Sequence, residues 1–176
     1  TGQHLMRAAG QQLNASIFDP RVKSRSRIHL YRADRLVRQI EPQASALLFD
    51  ETGFGSETII GNFYLVKDNM IISPRPEHVL GGISQQMVVR LAKQLGLRYE
   101  EADISANAIL AADEALTSST GYCLMPVTRF EESLISSGVP GPVFTRLLSA
   151  WSEAVGVDIV TQALQVGEAR RKALSS

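Results

Sequence analysis

The chain has 176 residues, of which 44% are hydrophobic and 20% are charged, and its formal net charge is zero. This length and composition are typical of one soluble globular domain with a hydrophobic core. Balanced charge disfavours a dedicated nucleic-acid binder, and no run approaches the roughly 18 apolar residues that a membrane-spanning helix needs. The single cysteine, Cys123, excludes an internal disulfide and fits a reducing, cytoplasmic compartment.

The first part of the chain predicts a leading segment, one helix and one buried strand. Residues 1–18 are weakly patterned and begin without an initiator Met, so we interpret them as a lead-in segment or a remnant of an interdomain region. Residues 27–39 have the spacing of a helix, which ends before Pro42. The apolar run SALLFD at 45–50 predicts a buried strand followed by the turn ETGFG.

The middle of the chain predicts a hairpin and then the clearest helix of the sequence. GNFYLV and MIIS flank Asp68 and Asn69, which favour a tight turn between two strands. In SQQMVVRLAKQLG the apolar side chains recur on one helix face, Ser84 is placed to cap the first turn, and Gly96 is placed to end the helix.

The last part of the chain predicts further strands and helices. LRYEEADIS, EALTSS and LMPVTRF predict strands, Ser105 caps a short helix, and Pro142 begins a long amphipathic helix. Strands and helices mix without a regular βαβ rhythm, which indicates a mixed α/β (α+β) fold. We expect one domain over residues 19–164 and a frayed helical tail over residues 165–176.

Two polar stretches are candidate binding sites for an anion. In VLGGISQQM, Gly81 and Gly82 precede a helix N-terminus, where backbone N–H groups bind phosphate; alternatively, these residues only form a turn. In TSSTGYC, Ser119, Thr120 and Gly121 offer hydroxyls and backbone amides at a strand end, although most loops of this kind bind nothing.

Glu57 and Lys23 are the candidate reactive groups. Glu57 precedes an apolar run, so its carboxylate either faces water or meets the cationic group of a ligand. Lys23 is one of seven Lys and Arg side chains within residues 19–38, and it is either solvated or desolvated enough to attack a carbonyl carbon. The other cations predict a solvated helix face rather than a site for an anionic polymer, because the net charge is zero.

The order and spacing of these motifs resemble the class IV aminotransferases. This is the fold-type IV pyridoxal-phosphate family, which includes branched-chain and D-amino-acid aminotransferases and aminodeoxychorismate lyase. The similarity runs from about Asp19 to about Trp151. It matches the C-terminal, cofactor-binding domain of the D-amino-acid aminotransferase-like fold, and it implies that the smaller N-terminal domain is absent from this chain.

The resemblance implies a role for each motif residue. The VK pair places the Schiff-base lysine at Lys23, and SETIIGN places the carboxylate that faces the pyridine nitrogen at Glu57. The other matched positions bind the cofactor, mainly through its phosphate: Leu80, Gly82, Ile83 and Ser84 around the GIS turn, and Ser119, Thr120 and Gly121 in the second loop.

Two departures from the family pattern affect the expected pocket. Thr58, Ile59 and Ile60 stand where the family has small residues, so one wall becomes bulkier. Gln85 replaces the arginine that usually follows the GIS turn. The segment after Lys23 is also more basic than the family pattern predicts, which leaves the substrate preference open.

The resemblance predicts a transaminase that depends on pyridoxal phosphate and transfers an amino group from an amino acid or amine to a 2-oxo acid through a Lys23 aldimine. Two alternatives stay open. One is a lyase similar to aminodeoxychorismate lyase, and the other is a catalytically incomplete fragment that serves as a binding or dimerising domain. The family implies a homodimer with small-molecule substrates and without a nucleic-acid or membrane partner.

Overall fold

The computed structural model describes residues 2–8 and 17–174, and no helix among them is both long and apolar enough to cross a membrane. The strands are β1 (Gln3–Arg7), β2 (Ala44–Phe49), β3 (Gly55–Thr58), β4 (Asn62–Lys67), β5 (Met70–Ser73), β6 (Arg98–Glu101), β7 (Glu114–Ser119), β8 (Cys123–Phe130) and β9 (Ser133–Leu134). The α-helices are α1 (Ile28–Ile40), α2 (Ile83–Gln94), α3 (Ala106–Leu110), α4 (Pro142–Val155) and α5 (Ile159–Leu174).

The strands form one mixed sheet, which confirms the predicted α/β fold class. Their order is β3-β2-β1-β8-β7-β4-β5-β6, and β9 pairs with β8. β1 is parallel to both of its neighbours, whereas β4, β7 and β8 are antiparallel. β3 also pairs with β4, so six strands close into a small barrel-like ring. The pair that closes the ring is Glu57 opposite Asn62.

Both faces of the ring are buried, because apolar side chains alternate between the faces along each strand. In β4, Phe63 and Leu65 belong to the cluster inside the ring. Tyr64 and Val66, on the opposite face, belong to the cluster that α2 and α4 cover. A third cluster joins α1 to β2, with Val37 on the helix. Helices α1, α2 and α4 therefore cover outer faces of the ring.

The local predictions for turns and caps are largely confirmed. Asp68 and Asn69 have φ values of 50° and 58°, the left-handed turn that a two-residue hairpin needs. The Ser105 hydroxyl accepts a hydrogen bond from the Ala108 N–H at 3.1 Å and caps α3. Pro142 is the first residue of α4, as its fixed φ favours.

Three expectations differ from the structure. β1 lies in the middle of the sheet, so Gln3–Arg7 form a central strand where we expected part of a lead-in segment; the partners of β1, β2 and β8, are remote in sequence, and local patterning carries no signal for them. α2 begins at Ile83 with Gly82 as its N-cap, so Ser84 lies inside the first turn and does not cap it. α5 continues through residue 165, where we expected the tail to begin.

Candidate functional site

A cavity lies at the end of the sheet where β4 begins and β7 ends. It is lined by the segment that leads into α1, the loop between β3 and β4, the turn before α2, and the last residues of β7. Its volume is about 180 Å³, whereas a single water needs roughly 10–15 Å³ by the same measure. The cavity therefore has room for a small organic molecule.

Most of the residues predicted for a cofactor site line this cavity, because β3, β4 and β7 are neighbours in the sheet. Gly121 does not line it; its N–H donates to Ser119 Oγ at 3.5 Å in the turn beyond β7. The lining residues among those predicted are Lys23, Glu57, Leu80, Gly82, Ile83, Ser84, Ser119 and Thr120.

The first turn of α2 presents backbone amides to the cavity. A helix N-terminus leaves N–H groups without partners inside the helix, and it carries the positive end of the helix dipole. Gly82 is the N-cap, and no side chain among the described residues caps this helix. Ser84, which is only 6% exposed, adds a hydroxyl to the same turn. This combination of amides, dipole and hydroxyl is suited to a phosphate group.

Glu57 is a partly buried carboxyl group at the edge of the cavity. Burial raises its pKa to about 7, although a hydrogen bond from the Leu80 backbone and the positive charge of Arg27 both act to lower it. Desolvation disfavours the charged form of an acid, so a cationic group beside Glu57 would stabilise the carboxylate strongly.

The cations of the basic segment separate into two groups. Arg21 and Arg38 each form an ion pair with a neighbouring aspartate, at 2.8 Å and 2.6 Å. Lys23 and Arg27 line the cavity instead, and the Arg27 guanidinium donates a hydrogen bond to the Ile59 carbonyl. The basic segment is therefore not one continuous footprint, because its members serve different contacts.

Arg27 and His29 also line the cavity, and the sequence reasoning did not single them out. Arg27 is the N-cap of α1 and not, as predicted, a residue of the helix face, and the sequence pattern does not distinguish it from the arginines within the helix. Burial, aided by the charge of Arg27, lowers the pKa of His29, so this ring is largely neutral at pH 7. Among the described residues that line the cavity, Lys23 and Arg27 carry positive charge, and Glu57 carries negative charge when it is ionised.

A barrel-like mixed sheet that brings a lysine, a carboxyl group and an uncapped helix N-terminus to one cavity is the arrangement expected of a fold-type IV enzyme domain. Family comparison agrees, because the model of the amino-transferase class IV family matches residues 2–130. The chain belongs to the class IV aminotransferase family, and the resemblance noted in the sequence is confirmed.

Known proteins show the same similarity. Branched-chain-amino-acid aminotransferase-like protein 2 of Arabidopsis thaliana is 34% identical over 119 residues, which are 66% of this chain and 21% of that protein. The D-alanine aminotransferase of Bacillus licheniformis is 31% identical over 123 residues, 68% of this chain and 44% of that protein. The crystal structure of the T.th. branched-chain amino acid aminotransferase complexed with N-(5′-phosphopyridoxyl)-L-glutamate has a TM-score of 0.83 and 26% identity, covering 88% of this chain and 51% of that chain. The chain thus spans about half or less of the length of these relatives.

Proposed function

We propose that this chain is the cofactor-binding part of a transaminase that uses pyridoxal phosphate and transfers an amino group from an amino acid or amine to a 2-oxo acid. The main support for the proposal is that Lys23, Glu57 and the first turn of α2 line the same cavity. Pyridoxal phosphate requires these three groups: an amine for its aldehyde, an acid for its ring nitrogen, and an anion site for its phosphate.

The residues of the cavity fit this cofactor. The Ser84 hydroxyl and the backbone amides of Ile83 and Ser84 would hold the phosphate, and Ser119 and Thr120 would add hydroxyls. Gly82 lets the Asn62 side chain pack directly against this turn, because a Cβ at this position would lie 2.5 Å from Asn62 Oδ1. When bound, pyridoxal phosphate supplies a reactive aldehyde carbon and a ring that accepts electrons.

Lys23 and Glu57 have separate tasks in this proposal. The Lys23 amine is the nucleophile towards the aldehyde, and when free it moves the proton at the substrate Cα as a general base. Glu57 holds the proton on the ring nitrogen. Because burial raises its pKa to about 7, a cation against it would bring that pKa down and keep the carboxylate charged.

The comparisons support the transaminase class. The Bacillus licheniformis relative is named as an aminotransferase and the Arabidopsis thaliana relative as an aminotransferase-like protein, and the solved structure holds a phosphopyridoxyl derivative of glutamate. We extend these properties to the present chain as part of the proposal, with an amino donor and a 2-oxo acid as substrates. A homodimer and a cytoplasmic location stay predictions from the family resemblance.

Borohydride trapping tests the proposal directly. The chain is incubated with pyridoxal phosphate, its absorption spectrum is recorded, and the adduct is reduced and located by peptide mapping. We expect a reduced adduct on Lys23, no adduct in Lys23→Ala, and transfer of an amino group from amino-acid donors to 2-oxo acids only in proteins that form it. Lys93→Ala, which removes an exposed lysine from α2, is the matched control and should keep the adduct.

Two results would contradict this assignment. An adduct of equal yield in Lys23→Ala would place the chemistry on another amine. A wild-type chain that forms the Lys23 adduct but cleaves its substrate by elimination, with no amino group transferred to a 2-oxo acid, would indicate a lyase instead of a transaminase.

A further inference from the structure

The backbone of Leu80 is held at both of its polar groups. Its carbonyl oxygen accepts a hydrogen bond from Asn62 Nδ2 at 2.7 Å, and the Gly82 N–H donates to the same oxygen at 2.8 Å. Its N–H is hydrogen-bonded to the Glu57 carboxyl group. Leu80, which lies two residues before Gly82 and the first turn of α2, is therefore tied to two side chains of the neighbouring strands.

The two side chains that hold Leu80 are themselves paired. Glu57 of β3 and Asn62 of β4 face each other in the register that closes the ring. The loop between them is tightened by Thr58, whose hydroxyl donates to the Gly61 carbonyl at 2.8 Å and accepts from the Gly61 N–H at 3.0 Å. Asn62 is only 6% exposed, so its amide has little freedom to leave this position.

Gly82 shows how closely the two segments approach. A Cβ built on Gly82 would lie 2.5 Å from Asn62 Oδ1, well inside contact distance. The Asn62 amide group therefore contacts the turn with both of its ends: Nδ2 binds the Leu80 carbonyl, and Oδ1 lies against Gly82. A side chain of another shape at position 62 would move the turn or leave a buried carbonyl without its donor.

We propose that Asn62 is a positioning residue, which clamps Leu80 together with Glu57 and thereby sets the Gly82–Ser84 turn at the correct distance from the acidic end of the cavity. Asn62 acts through this turn and touches no reacting atom. The identity of the ligand rests on the proposed function, whereas the clamp itself does not. The clamp predicts that Asn62 matters for ligands that reach the turn with a phosphate and matters little for ligands that lack one.

Paired titrations test the role in ligand binding. Pyridoxal phosphate and pyridoxal, which has the same ring and aldehyde without the phosphate, are titrated against wild type, Asn62→Ala and Asn62→Leu by absorption. Asn62→Leu keeps the approximate side-chain size and loses the Nδ2 donor without adding a charge. We expect both variants to bind pyridoxal phosphate about tenfold more weakly, as for loss of a buried hydrogen bond, and to bind pyridoxal within about twofold of wild type. Asn107→Ala, at an exposed position of α3, is the matched control and should change neither affinity.

Equal losses of affinity for the two ligands, or an unchanged affinity for pyridoxal phosphate, would overturn the role of Asn62 in setting the turn. Amide hydrogen exchange in the ligand-free chain tests, independently of ligand binding, whether Asn62 holds the Leu80 backbone. We expect exchange at the Leu80 and Gly82 amides to be about tenfold faster in both variants, with no change at Val143, whose N–H binds Glu114. Unchanged exchange at Leu80 and Gly82 would exclude the clamp.

These two measurements separate failure of the clamp from failure of the proposed function. If wild type binds neither pyridoxal phosphate nor pyridoxal, the proposed function fails, while the exchange rates still support or exclude the clamp. If wild type binds both ligands and the Asn62 variants behave like wild type, the proposed function stands and the clamp fails.

Discussion

Two glutamates show two ways in which this domain places a carboxyl group away from water. Glu114, at the start of β7, is 7% exposed and accepts hydrogen bonds from the N–H groups of Val143 at 2.7 Å and Phe144 at 2.9 Å, in the first turn of α4. Glu57 lies at the cavity near the other end of β7, and burial raises its pKa to about 7. One carboxylate meets a helix N-terminus of its own chain, whereas the other lines a cavity.

The surroundings of each glutamate explain this difference. The amides and dipole of α4 stabilise the negative charge of Glu114, and Gly141 leaves room for it, since a Cβ there would lie 2.1 Å from Glu114 Cδ. Glu57 stands beside a space that admits other molecules, where a cationic group of a ligand would stabilise its charge best. A desolvated carboxyl group is therefore structural where the N-terminus of a helix in the same chain binds it. It is a candidate ligand-binding group where it lines a cavity.

The largest effect is expected for Glu114→Ala, which leaves one buried and one partly buried backbone donor at the start of α4 without their acceptor. We expect the free energy of unfolding to fall by about 3 kcal/mol, measured by equilibrium denaturant unfolding. Glu114→Gln, which retains one acceptor oxygen, should lose less. Glu100→Ala, at an exposed position of β6, is the control, and a loss no larger than that of the control would refute the capping role.

A smaller and pH-dependent effect is expected for Glu57→Gln in the ligand-free chain. The pKa of Glu57 is raised from 4.5 to about 7, so the folded chain binds this proton more tightly than the unfolded chain and loses stability as the pH rises from 4.5 to 7. Glu57→Gln has no titratable group at this position, so it does not lose stability in this way as the pH rises. Because solvent screens the partly exposed side chain, we expect Glu57→Gln to be about 1 kcal/mol more stable than wild type at pH 8.

This gain in stability should disappear at pH 4, where wild type is protonated in both states. Unfolding curves of the two proteins at pH 4 and pH 8 measure it. A difference that is the same at both pH values would show that Glu57 is not desolvated, and would remove the contrast with Glu114.

The smallest effect is expected for Arg38→Gln. Arg38 pairs with Asp34 one helical turn away at 2.6 Å, but 47% of the Arg38 side chain is exposed. Pairs of this kind stabilise a protein by less than about 1 kcal/mol, and salt screens them. The difference in free energy of unfolding between wild type and Arg38→Gln should be small at low salt and should vanish at high salt. A loss of stability comparable to that of Glu114→Ala would mean that this exposed ion pair stabilises the fold as strongly as the buried Glu114 carboxylate does.

Local features of the fold could be predicted from the sequence, because each is determined by neighbouring residues. Asp68 and Asn69 favour a left-handed turn wherever they join two strands, and Ser105 caps the helix that follows it. β1 could not be predicted in this way. Its few residues pair with strands that lie far along the chain, and only the assembled sheet makes them a central strand.

The candidate site likewise contains some features that could be predicted from the sequence and others that could not. The motif residues at Glu57 and Gly82 could be placed together because a family resemblance relates their positions. The contacts that hold Leu80 could not, since they depend on how two segments approach in space. The cap of α2 is an intermediate case: Ser84 has the right chemistry for an N-cap, but the helix begins one residue before it, at Ile83.

The central position of β1 has a consequence for the order in which the chain becomes structured during synthesis. His4 Nε2 lies 2.7 Å from the Glu131 carbonyl oxygen, and 127 residues separate the two in sequence. β1 therefore leaves the ribosome long before β8, and the ring cannot close until both are available. Until then the hydrogen-bonding edges of β1 and β7 stay open, which exposes the nascent chain to misassociation. We therefore expect the ring to close only after β8 has emerged.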